Sequence, residues 1–230
     1  MEHGVTLENM GVLDLTGKGY DLSGISLIRN IGLIVAPQSL ADALLKIRQE
    51  NIGMTIMLPD TKGKIKMFTG QLTLSGEVFA NQTGSDDDIL VISGQAVITS
   101  PIEQIGYHEI IVAGQLIAPQ SSAAALANAL TKMSGQIAYY QTDAPRLFMG
   151  NDKFSKDFFE LIEDRMAMLL IGDFEFESDV DLPLIRQKIS ELIIIGSVKA
   201  PKALVPLLQL LATTKLGDIT ARDDAPVQSV

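Results

Sequence analysis

Three stretches of this chain repeat one another without a gap. GLIVAPQSLADALLKIRQENIG begins at Gly32, GQLIAPQSSAAALANALTKMSG at Gly114 and GSVKAPKALVPLLQLLATTKLG at Gly196, a shift of 82 residues each time. Five columns are identical in all three copies: Gly32/Gly114/Gly196, Ala36/Ala118/Ala200, Pro37/Pro119/Pro201, Leu44/Leu126/Leu208 and Gly53/Gly135/Gly217. A shift that works twice without insertion marks an internal duplication. Chains of this kind stack supersecondary units, because one unit cannot bury its apolar face alone.

The long repeat divides further. Segments of the form glycine, any residue, apolar, any residue, apolar recur at Gly11, Gly32, Gly53, Gly70, Gly94, Gly114, Gly135, Gly172, Gly196 and Gly217, mostly 17 to 24 residues apart. The one long gap, between Gly135 and Gly172, predicts a further coil near residues 147–160 with a displaced glycine.

After each glycine the residues alternate. The second place holds Ile34, Leu72, Leu116, Ile137, Phe174 and Val198, and the fourth Ala36, Leu74, Ala118, Tyr139, Phe176 and Ala200. Period-two alternation predicts a short strand of about five residues with one buried face. Proline at 37, 101, 119 and 201 ends the strand and suits the first turn of a helix. Leu40, Leu44 and Ile47 then share one face of a helix of about ten residues. Gly53, Gly135 and Gly217 fall where a left-handed helix terminus is expected. Residues 154–162 and 181–191 read as further amphipathic helices, with Asp181 as N-cap. Residues 70–114 are rich in Ile, Val, Thr and Gly and predict extended segments, with Asp86–Asp88 at a solvated loop tip. The fold class expected is α/β: a repeat solenoid of about ten coils of ~20 residues, with one parallel β-sheet and short helices or extended segments on the other side. It covers residues 11–221, with a polar cap at 1–10 and a polar tail at 222–230.

The coil length and strand–helix alternation resemble leucine-rich-repeat proteins over roughly residues 10–221. That likeness is architectural. The family's strand signature, a leucine pair with a buried asparagine ladder, is not recognisable. The helix-poor middle is also similar to bactofilins, bacterial polymer-forming β-helix proteins of the cytoskeleton.

Composition excludes several functions. With 18 basic and 28 acidic residues the chain carries a formal net charge of −10 and no basic stripe, which argues against nucleic acid or an anionic membrane as partner. There is no cysteine, so disulfides, thiolate metal sites and a cysteine nucleophile are out. The N-terminus lacks a basic region followed by an apolar run, and no apolar stretch reaches the ~18 residues of a membrane span. A cytoplasmic protein is expected.

Catalytic chemistry finds no foothold. The two histidines are His3, near the terminus, and His108, in a turn near Glu103 and Glu109. Asp173, Glu175, Glu177, Asp179 and Asp181 line a strand from which side chains diverge, and this suits an exposed acidic strip better than a cation site. TGKGYDLSG (residues 16–24) fits no phosphate-binding fingerprint and reads as a turn. No enzyme, cofactor or metal is expected.

The other face of the strands carries the functional signal. The third place after glycine holds Val35, Ile56, Thr73, Val97, Ile117 and Ala138, then changes to Glu175, Lys199 and Thr220. The first place holds Gln71, Gln95, Gln115 and Gln136, then Asp173, Ser197 and Asp218. Either this face is covered within the chain, as in many parallel sheets, or its apolar row and glutamine ladder form a surface for a protein partner or for self-association. The second alternative makes Val35, Ile56, Gln71, Gln95, Val97, Gln115, Ile117 and Gln136 the partner-binding residues of a non-enzymatic binding or scaffold protein. A self-assembling structural protein is the alternative, since stacked strands leave unpaired edges. A polysaccharide-active enzyme using Glu175 and Glu177 stands third.

Overall fold

The computed structural model describes residues 4–17 and 19–222. His3, Lys18 of the glycine-rich turn and residues 223–230 of the expected tail lie outside them. The chain forms two compact units, Met1–Ile65 and Lys66–Val230. Val5–Met10, expected as cap, are the first half of a strand.

The first unit holds one parallel sheet of three strands in chain order: β1 (Val5–Asp14), β2 (Ile25–Pro37) and β3 (Arg48–Leu58). The second unit holds two parallel sheets of four. One runs β4 (Ile65–Leu74), β5 (Ile89–Ile98), β6 (Glu109–Pro119), β7 (Leu130–Tyr140). The other runs β8 (Arg146–Phe154), β9 (Met166–Phe176), β10 (Ile189–Ala200), β11 (Ala212–Ala221). The α/β class and the parallel pairing hold. The expectation of one parallel sheet is corrected: the strands form three separate sheets. The 82-residue repeat is the signature of one sheet, because Gly32, Gly114 and Gly196 lie on β2, β6 and β10, each the last strand but one.

The strands are also twice the expected length. They begin well before the glycine, so Gly53, Gly135 and Gly217 sit mid-strand instead of at helix ends. The reason is local: Leu130, straight after the helix Ala123–Ala129, is already extended at φ −74° and ψ 105°. The displaced coil expected near 147–160 is β8, with its glycine at 150.

The glycines are ladder rungs. Gly94, Gly114 and Gly135 pair in register, as do Gly150, Gly172, Gly196 and Gly217. At Gly114 φ is +140°, and a Cβ there would lie 2.0 Å from the carbonyl oxygen of Gly94. At Gly196 φ is +126° and the Cβ would lie 2.1 Å from the Gly172 oxygen. Backbones approach so closely at this bend that no side chain fits. In the first unit the left-handed residue is instead asparagine, two positions earlier: Asn9, Asn30 and Asn51 have φ of 59°, 53° and 52°. Asparagine tolerates this conformation better than other residues with a Cβ. The three form an exposed ladder, Asn30 Nδ2 donating to Asn9 Oδ1 at 3.0 Å and Asn51 Nδ2 to Asn30 Oδ1 at 2.9 Å. The N-x-G spacing of 21 residues was its signal in the sequence.

Among the described residues five short α-helices cover one face of the sheets: α1 (Ala41–Leu45), α2 (Ala123–Ala129), α3 (Lys156–Glu160), α4 (Leu182–Lys188) and α5 (Val205–Leu211). At five to seven residues they are half the expected length and too short to persist alone. Burial holds them. The repeated column Leu44, Leu126 and Leu208 is buried on α1, α2 and α5. Asp181 caps α4 by accepting from the Leu184 N–H at 2.9 Å. Residues 75–88, expected to be extended, instead hold a short 3-10 helix at Gly76–Ala80 followed by turns, and Asp88 is buried, not solvated: its carboxylate accepts from Asn81 Nδ2 and the Ser85 N–H, both at 3.1 Å.

The inward face is as expected. Ile34, Leu116 and Val198 are all fully buried. Ile34 joins Ile28, Ile31 and Leu44 in the first unit. Leu116 joins Leu90, Ile92, Ile110 and Leu126 behind the second sheet. Val198 joins a phenylalanine cluster behind the third, where Phe154 stacks on Phe174 at 5.6 Å between centroids and Phe159 on Phe176 at 5.5 Å. Among the described residues no helix is long and apolar enough to cross a membrane.

Candidate functional site

The eight residues singled out on the outward face separate into two groups. Val35, Ile56, Val97 and Ile117 are buried. Val97 and Ile117 pack with Tyr140 against Leu169, Ile171, Ile193 and Ile195, which project from the third sheet before its glycine rung. Within the second unit, then, the apolar row after the glycines of one sheet is covered by the next sheet of the same chain. It presents no free surface, and the covered alternative holds for this pair. The change to Glu175, Lys199 and Thr220 has the same origin: these positions follow the last glycines of the third sheet and meet solvent, Lys199 and Thr220 being exposed and Glu175 half-buried.

The four glutamines form one column. Gln95 Nε2 donates to Gln115 Oε1 at 2.7 Å. Gln71 and Gln136, on the outermost strands β4 and β7, are exposed.

The two sheets of the second unit are locked by polar contacts that sequence reasoning missed. Glu191, at the start of β10, is buried, and its carboxylate accepts the N–H groups of Gln141 at 2.8 Å and Thr142 at 2.9 Å and the hydroxyl of Thr213. Thr214 Oγ1 donates to the Tyr139 carbonyl at 2.8 Å, tying β11 to β7. The Tyr140 hydroxyl donates to the Ile98 carbonyl. Burial pushes this phenol up from its ordinary pKa, and the charges of Asp143 and Glu191 push the same way. A lone acid opening the apolar run ISELIIIG was the only sequence signal for Glu191. At the other edge, Thr73 on β4 contacts the Met149 sulfur on β8 at 3.9 Å. The sheets therefore lie rung over rung, β4 with β8 and β7 with β11.

The acidic strip is threaded with cations. Asn151, Asp173, Glu175 and Lys199 line a shallow polar hollow of about 550 Å³. Glu175 bonds Lys153 at 3.1 Å and Arg222 at 3.2 Å, and Ser197 Oγ donates to Asp173. The hydrogen bond from Lys153 holds the Glu175 carboxyl below its ordinary pKa, with the charges of Lys153, Arg222 and Lys199 adding to it. A doubly paired, ionised carboxylate is in the wrong state for a general acid. Glu177 is half-buried, and its N–H pairs with the Phe154 carbonyl at 2.9 Å. In an NMR titration Glu175 is expected to ionise below the ordinary carboxylate range, and Lys153→Met to raise its midpoint. Because the folded value lies below the unfolded one, the stabilisation is full at neutral pH and fades as pH falls through the folded midpoint. A midpoint unmoved by Lys153→Met removes this assignment.

His108 and Glu103 are exposed and Glu109 half-buried. A second cleft, of about 720 Å³, is lined by Arg146, Leu161, Glu163, Asp164, Arg165 and Ser190. Among the described residues no group of three or more histidine, aspartate or glutamate side chains is placed to hold a metal ion. Compared with models of protein families, with curated proteins and with solved structures, the chain matches none.

What remains open is the strand edges. β4, β7, β8 and β11 each pair on one side only. Ser134, Gly135 and Gln136 on β7, and Gly150, Asn151 and Asp152 on β8, are exposed. Two large apolar side chains stand on these edges, Met133 on β7 at 51% exposure and Met149 on β8 at 61%.

Proposed function

We propose that this chain is a non-enzymatic scaffold protein, a solenoid-like stack of strand–helix coils in the sense of leucine-rich-repeat proteins, and that it takes its protein partner at the strand edges of the second unit. One observation carries the reading. Val97 and Ile117 are spent inside the chain, and on these sheets the unpaired backbone of the edge strands, with Met133 and Met149 exposed beside it, is a surface that can take an incoming strand. An edge offers a row of N–H and C=O groups to any incoming strand. Sparse charge on β7, with Lys132 its one charged residue, leaves that edge poorly defended.

Met133→Lys and Met149→Lys place charge on both edges at positions more than half exposed, so circular dichroism and melting are expected to match the parent. Tagged parent protein is expected to retain its partner from native cell extract, and the double variant to lose it. Equal retention by a folded double variant overturns the edge reading.

A further inference from the structure

We infer that the partner at these edges is a second copy of the same chain, docked head to tail so that its β4 and β8 continue the sheets beyond β7 and β11. The inference rests on the edge reading and adds the occupant, the polarity and the register.

Parallel strands impose the polarity. Strands β5–β7 and β8–β11 pair parallel, and β4 runs with β5, since Gly94 abuts the Gly70 carbonyl and four residues on the Leu74 carbonyl accepts from the Thr99 N–H; a copy displaced along the stack therefore meets β7 with β4 and β11 with β8, again parallel. Because β4 lies over β8 and β7 over β11 within one chain, one displacement of four strand spacings, ~19 Å, joins both sheets together.

The rung geometry sets the register. At each internal glycine of these two sheets the place a Cβ would take is filled by the carbonyl of the glycine before it, as at Gly135 by Gly114 and at Gly217 by Gly196. At Gly70 and Gly150, where the ladders begin, the corresponding space is empty. Seating Gly70 and Gly150 of a second copy on the carbonyls of Gly135 and Gly217 fills it with the contact used at every rung inside the chain.

Side chains agree with that register. Gln136 falls beside Gln71 of the copy, which extends the column in which Gln95 already bonds Gln115. Met133 falls beside Phe68. Met149 falls beside Leu216 of the preceding copy, on the side away from its pairing with Ile171. The charges do not oppose one another: Asp218 falls beside Asn151, as Asp173 does within the chain, and Thr220 beside Lys153. The ends of the first unit differ. Glu8, Arg29 and Glu50 share a rung, so a copy stacked there would set Glu50 against Glu8, and the first unit takes no part in the proposal.

The natural absence of cysteine makes the test clean. Within one chain Gln71 and Gln136 are three strand spacings apart, ~14 Å, beyond the ~7 Å reach of a disulfide. The full-length double variant Gln71→Cys/Gln136→Cys is therefore expected to give a ladder of covalent multimers on mild oxidation. The register-shifted control Thr69→Cys/Gln136→Cys is expected to give at least fivefold less. Sedimentation velocity of the parent is expected to show mass rising with concentration, and Met133→Lys/Met149→Lys to remain monomeric. A parent that stays monomeric across the concentration series, or equal cross-linking by the two cysteine pairs, overturns the inference. If that happens while Met133→Lys/Met149→Lys still loses a partner from cell extract, the edge reading stands and the occupant is another protein. If the folded variant keeps that partner as well, both fail.

Discussion

Ile117→Lys is expected to unfold the second unit, and Val97→Lys to do nearly the same. Both side chains are buried between the two sheets of this unit, among Tyr140, Leu169, Ile171, Ile193 and Ile195. An ammonium placed there loses its water among the hydrophobic side chains of that cluster, a cost above about 4 kcal/mol and a large part of a domain's total stability. Ile117→Ala, which removes packing but adds no charge, is expected to cost about 2–5 kcal/mol. Lys199→Thr occupies the same place in the third sheet, but its side chain is exposed, and the expected change is within about 0.5 kcal/mol. Urea denaturation followed by circular dichroism separates the three. Near-parental stability for Ile117→Lys would mean that the sheets do not pack on this row.

The second large effect belongs to the glycine ladder. Gly196→Ala is expected to abolish folding of the third sheet, because its Cβ would stand 2.1 Å from a backbone oxygen that is itself held in the ladder. Neither strand can move without breaking the pairing of β9, β10 and β11. Gly150→Ala is the informative contrast. Its φ is +100°, but within one chain nothing lies within 4 Å of its Cβ, so folding is penalised only through the backbone conformation, at about 1–3 kcal/mol. The expected result is a folded, weaker protein for Gly150→Ala and no cooperative transition for Gly196→Ala, read by thermal melts of both. Similar melting of the two variants would show that close approach of the rungs does not matter.

The two predictions rest on different kinds of legibility. The rungs could be read directly from the chain, since glycine spacing, the alternating residues after each glycine and the leucine anchors at 44, 126 and 208 all report local geometry. Asn9, Asn30 and Asn51 were equally readable as a 21-residue column but stand out only once their left-handed backbone is seen. The strand length was not legible, because apolar runs such as ILVIS and ELIII are buried on both faces and lose the alternation that marks a strand with one wet side.

Sequence alone determined which residues face inward and where each rung bends, because a side chain's direction along a strand depends only on its neighbours. Tertiary structure decided what covers the other face. The same third position is core at Val97 and Ile117 and solvent-facing at Lys199 and Thr220, since the outcome depends on whether another sheet lies against it. Likewise Glu191 is buried because the backbone N–H groups of Gln141 and Thr142 converge on it. Those partners lie up to 50 residues away in the chain, and periodicity carries no information over that distance.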